Sequence, residues 1–79
     1  MSGIDVTCID AAGTGGRIKQ YMIREGLTVK QIQSVCGCSH QSVYRWVNGL
    51  SVPTIDHLVI LAGLFRVPLD DIVVTKRTR

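Results

Sequence analysis

A chain of 79 residues makes one small domain, and its 46% apolar content suits a packed core better than a disordered segment. Its charge of +3 permits a nucleic-acid partner without requiring one. Three cysteines are an odd number and argue against a disulfide-stapled secreted scaffold. No apolar run approaches the roughly 18 residues of a membrane span, and residues 1–10 lack the basic start of a signal peptide. A cytoplasmic protein without a membrane partner is expected.

The first segment, "IDVTCIDAAGTGG", alternates Ile4, Val6 and Cys8 and then turns glycine-rich. It reads as an N-terminal arm over 1–13 that can hold a short strand, ending at Thr14 as a helix cap. A first helix follows over 15–25, with Ile18, Tyr21 and Met22 at the spacing of a buried stripe. Gly26 is its left-handed stop. Thr28 and Gln31 make a capping box for the second helix, with Leu27 and Ile32 at the staple positions around it. Ile32, Val35 and Cys36 then form one apolar face, and Gly37 ends the helix after barely two turns.

Ser39 caps a third helix whose inward stripe is Val43, Trp46 and Val47, stopped by Asn48-Gly49. A loop through Pro53 leads to Thr54, the cap of a fourth helix with Leu58, Leu61, Ala62 and Phe65 inward. A short fifth helix at about 69–72 closes the domain, and the basic tail over 74–79 is expected to be mobile at its end. The expectation is therefore an all-α, compact five-helix domain over 14–73. The three-residue break Gly37-Cys38-Ser39 makes its second and third helices a helix-turn-helix unit.

Cys36, Cys38 and His40 sit two apart and suggest metal ligands. A structural zinc site needs four ligands, usually two to four residues apart within each half, and the fourth here would be the distant Cys8 or His57. Cys36 also falls on the buried face, where a free cysteine behaves as a small hydrophobe. No metal and no cofactor are expected. Cys38 and His40 as nucleophile and base lack an orienting acid and a pocket, so no enzyme is expected. The third helix offers more. With Val43, Trp46 and Val47 inward, its other side shows His40, Gln41, Tyr44 and Arg45, none of them acidic. Gln pairs with adenine and Arg with guanine in the major groove. On chemistry alone, a merely solvated helix face remains open beside that reading.

The stretch "GLTVKQIQSVCGCSHQSVYRWVNGLSVPTIDHLVILAGLFRVPLDDI" resembles the phage repressor and Cro-type (XRE family) helix-turn-helix domains, the lambda repressor-like fold. "GLT" matches the opening of the second helix, Gly37 the turn, and "SHQSVYRWVNG" the recognition helix with its stop. The resemblance implies a sequence-specific transcriptional regulator of double-stranded DNA. It implies that Ser39, His40, Gln41 and Arg45 reach base edges, that Tyr44 meets base or backbone, and that Asn48 meets a phosphate. Thr28 and Lys30 complete the expected DNA-binding set. Two positions depart from the family. Val29 stands where many relatives have a phosphate-supporting Gln, with Lys30 beside it as a substitute charge. Met22 and Val47 stand where relatives join the first and third helices by an Arg–Glu pair, so an apolar contact is expected there.

The alternative is an antitoxin or other protein-interaction module of the same fold, with a toxin or co-regulator as partner. A thiol or metal sensor using Cys8 and Cys38 is a further rival. Useful specificity calls for a homodimer, built through the fifth helix with residues 72–74 or through the arm over 4–9.

Overall fold

The computed structural model describes residues 6–78. In chain order it has strand β1 (Val6–Ile9), helices α1 (Ala11–Glu25), α2 (Val29–Cys36), α3 (His40–Val47) and α4 (Ile55–Phe65), a single 3-10 turn (Leu69–Asp71) and strand β2 (Thr75–Thr78). The fold is mostly helical but not all-α, and the described residues form four helices rather than the expected five. The expected fifth helix shrinks to that one turn, held by the amides of Asp71 and Ile72 donating to Pro68 and Leu69. Pro68 sets the chain extended before it, and Val73 leaves at once towards β2.

The local signals for α2, α3 and α4 hold. Thr28 and Gln31 form the reciprocal capping box, Ser39 accepts from the Ser42 amide, and Thr54 accepts from the His57 amide. Gly26 and Gly37 close α1 and α2 with φ of 66° and 65°, a backbone region where a Cβ is penalised. Val35 departs from its expected place. It is half exposed, while Ile32 and Cys36 turn into the core.

The larger corrections lie at the two ends. Helix α1 begins at Ala11, not after Thr14, because the Asp10 carboxylate accepts from the Gly13 amide at 3.1 Å and caps the helix first. Thr14 is buried inside the helix. Its hydroxyl accepts from the Val74 amide at 3.0 Å, 60 residues away, and the Asp10 amide donates to the Val74 carbonyl at 2.7 Å. These bonds seat the C-terminal segment on the head of α1. From there β2 pairs antiparallel with β1, Val6 opposite Thr78 and Ile9 opposite Thr75. The short strand expected in the arm is thus present as Val6–Ile9, and its partner Thr75–Thr78 lies in the segment expected as a basic tail. Ile4 lies outside the described residues.

Ile18, Ile32, Val43, Leu61, Phe65 and Ile72 are fully buried where the helices meet. The head of α1 presses hard against the end of α3. A Cβ on Gly15 would collide with the Trp46 carbonyl oxygen, and one on Gly49 would lie 2.7 Å from Ala12 Cα. Met22 and Val47, the family's ion-pair positions, line one apolar groove between α1 and α3. Arg17 donates to the Asp71 carbonyl and Arg24 to the Phe65 carbonyl, each at 2.7 Å. Both arginines thereby tie α1 to the chain's later elements, and Arg24 also sets a cation at the C-terminal end of α4, where the helix dipole favours one.

Candidate nucleic-acid interface

Eight residues give α3 little more than two turns, so its function depends on how its ends are fixed. Ser39 fixes the start. Its oxygen accepts from the Ser42 amide at 3.2 Å and lies 2.9 Å from the Ser42 hydroxyl, satisfying donors that the first turn leaves free. Val43 and Trp46 anchor the inner side at 0% and 4% exposure. With that stripe inward, the helical period sets His40, Gln41, Tyr44, Arg45 and Asn48 outward, and all five are exposed.

Gln41, Tyr44, Arg45 and Asn48 line one shallow groove with Leu50. The His40 and Tyr44 rings meet edge-on with centroids 4.8 Å apart, and His40 Nδ1 lies 3.3 Å from Gln33 Oε1 on α2. Arg45 Nη2 donates to the Leu50 carbonyl at 3.5 Å, at the long limit for such a bond, so the guanidinium is readily released to another acceptor. The lining offers amide, phenol and guanidinium donors and no carboxylate.

Thr28 and Lys30 stand apart from this groove, exposed at the head of α2. The Thr28 hydroxyl is engaged by Gln31, accepting from its amide at 3.2 Å. Val29, beside them, packs partly into the core. The fold adds a cation that reading along the chain missed. Lys19 of α1 lines the α1–α3 groove together with Tyr44 and Asn48. It is exposed on the flank of the buried Ile18–Met22 stripe, and only the packing of α1 across α3 brings it to the interface, so no local sequence signal marks it.

The cysteines divide by environment. Cys36 is 8% exposed. Burial, and then the neighbouring Cys38 thiol, push its pKa up to about 11, which keeps it a neutral core side chain. Cys38 is half-buried in the turn, and Cys8 is half-buried on β1.

Two short helices meeting through a left-handed glycine, the second displaying an acid-free donor face, define a helix-turn-helix protein. The helix-turn-helix family profile matches residues 18–72, and the chain belongs to that family, of the XRE type, whose members are DNA-binding transcription regulators. Two solved structures share the fold. The restriction-modification controller protein C.AhdI from Aeromonas hydrophila superposes with a TM-score of 0.71 at 16% identity, covering 80% of this chain and 96% of that one. The DNA-binding domain of BldD gives 0.67 at 18% identity, covering 82% and 94%. No curated protein matches. Among the described residues, no helix is long and apolar enough to cross a membrane.

Proposed function

We propose that the protein is a sequence-specific transcriptional regulator, without catalytic activity and acting in the cytoplasm, that reads the major groove of double-stranded DNA with α3. The observation that carries this reading is the exposed, acid-free lining of Gln41, Tyr44, Arg45 and Asn48 on one side of a helix anchored by Trp46. Gln41 suits the paired donor and acceptor of adenine, and Arg45 suits the two acceptors of guanine. Ser39 and His40 lead the helix towards base edges. Tyr44 and Asn48 flank the readers and meet the backbone, as do Thr28 and Lys30 at the head of α2, where free amides and the positive end of the helix dipole favour phosphate. Lys19 adds a charge beside them.

One such helix contacts too few base pairs to single out a genomic site, since each contributes about 1–3 kcal/mol of discrimination. The functional unit is therefore a homodimer on a pseudo-palindromic site with half-sites roughly 34–36 Å apart. Of the surfaces expected from sequence, Ile72 is fully buried, and the described part of the arm, Val6–Ile9, pairs with β2 along one of its edges.

Selection of bound sequences from a random DNA pool at fixed salt tests the reading, with an enriched pair of half-sites as the expected result. Gln41→Ala or Arg45→Ala then weakens binding to the selected site by about 1–3 kcal/mol and leaves binding to random DNA nearly unchanged. Equal losses on both DNAs would make these residues phosphate contacts, and a pool without enrichment would refute sequence-specific reading.

A further inference from the structure

Helix α4 has two apolar sides where a surface helix ordinarily has one. Leu58, Leu61, Ala62 and Phe65 fill the core. On the opposite side Ile55 and Val59, one turn apart, are 63% and 57% exposed, and Gly63 continues the same line, exposed as well. Between Asp56 and Arg66 the only polar side chain is His57. A helix apolar all round is covered on both sides in its working state.

Gly63 sharpens this point. Glycine inside a helix is unfavourable relative to alanine, and where the fold requires it the reason shows, as at Gly15. Among the described residues, a Cβ on Gly63 would meet nothing within 4 Å, so nothing in their packing calls for glycine there. An absent side chain on an exposed helical face allows a second backbone to approach closely.

The charges say which backbone. Asp56 lies in the first turn of α4, and Arg66 follows its last residue, roughly 15 Å further along at the helical rise. Both are exposed, and the ion pair found among the described residues is a different one, Arg24 with Glu25. An acid at one end of an apolar strip and a base at the other make that strip complementary to itself turned end for end. Self-complementarity of this kind is the mark of a two-fold interface.

We propose that the outer face of α4 is the dimer surface, docking antiparallel on α4 of a second copy. Asp56 then faces Arg66 of the partner subunit, twice across the axis, and Val59 sits over Gly63 of the partner subunit. The inference deepens the homodimer reading above and names its surface.

Sedimentation of the full chain over a range of concentrations, free and on DNA carrying two half-sites, tests it with two charge reversals. Asp56→Arg and Arg66→Asp each place like charges together twice, so each alone weakens self-association by about tenfold or more. An equimolar mixture restores it as a heterodimer, because each variant then supplies the charge that the other lacks. Val59→Glu abolishes dimers of all kinds while circular dichroism confirms a folded chain.

Single reversals that dimerise like the parent would overturn the proposal. So would a mixture that fails to recover, a parent monomeric both free and on DNA, or a different protein holding this face in the purified complex. Binding to a single half-site stays unchanged in both reversal variants. Loss of all DNA binding in the parent would defeat the DNA reading, and sedimentation would still decide the dimer.

Discussion

Replacing glycine by alanine at an unstrained position normally stabilises a protein by about 0.4–1 kcal/mol, because the unfolded chain loses freedom. Gly15 and Gly16 are neighbours in α1 and should respond with opposite signs. A Cβ on Gly16 meets nothing within 4 Å, so Gly16→Ala should raise stability by about 0.5–1 kcal/mol. A Cβ on Gly15 runs into the Trp46 carbonyl oxygen and comes within 3.2 Å of the Gly49 amide nitrogen. Both are backbone atoms and cannot swing aside as a flexible side chain would. Overpacking typically costs about 1–3 kcal/mol, and contact with rigid backbone belongs at the upper end. After subtracting the helical gain, Gly15→Ala should destabilise by about 2 kcal/mol. At about 4–8 °C per kcal/mol for a domain of this size, the midpoint falls by roughly 8–16 °C, against a rise of a few degrees for Gly16→Ala. Urea and thermal unfolding followed by circular dichroism measure both. DNA affinity of Gly15→Ala should fall too, since the side chain pushes on the end of the reading helix. A neutral or stabilising Gly15→Ala would refute the close α1–α3 approach.

Trp46→Ala should cost about 3–5 kcal/mol, much of a small domain's total stability; a fully stable variant that has lost only DNA binding would move Trp46 to the interface. Thr14→Val keeps the shape but strands the Val74 amide, and should cost about 1–3 kcal/mol with faster hydrogen exchange across β1 and β2; unchanged exchange would contradict that anchoring role. For Cys36, the folded pKa of about 11 exceeds that of the unfolded thiol, near 9. The unfolded chain therefore releases its proton first as pH rises, and stability present below about pH 9 is lost between there and about pH 11. By linkage, two pKa units amount to about 3 kcal/mol, and Cys36→Ala should flatten the slope in alkaline urea titrations.

The helix-turn-helix was legible because its determinants are local. A capping threonine or serine and the amide it serves lie three residues apart, and a left-handed glycine announces itself. The outward face of α3 followed from the helical period once Val43 and Trp46 were turned inward. The ends misled for the converse reason. Thr14 looks like a cap, but its partner Val74 is distant in sequence, and Asp10 could serve equally well. The β-branched run Val73-Val74-Thr75 was the available sign of a strand, yet nothing local names the strand it joins. Lys19 reaches the interface only through the crossing of α1 with α3, and Val35 turned outward because the core is centred on Ile32 and Cys36.

The pairing of Val6 with Thr78 bears on how the molecule assembles. The contacts of α2 and α3 close loops of a few residues, whereas the sheet must bring together segments from opposite ends of the chain. Loop-closure entropy places such contacts late in folding, and the same ordering makes them early to open. The helices therefore form a nucleus that does not wait for the strands, and the sheet acts as a clasp fastened afterwards. Val6 and Thr78, the two ends of the described fold, stand side by side across that sheet, so a chain that folds from its middle finishes by bringing its first and last described residues to one place.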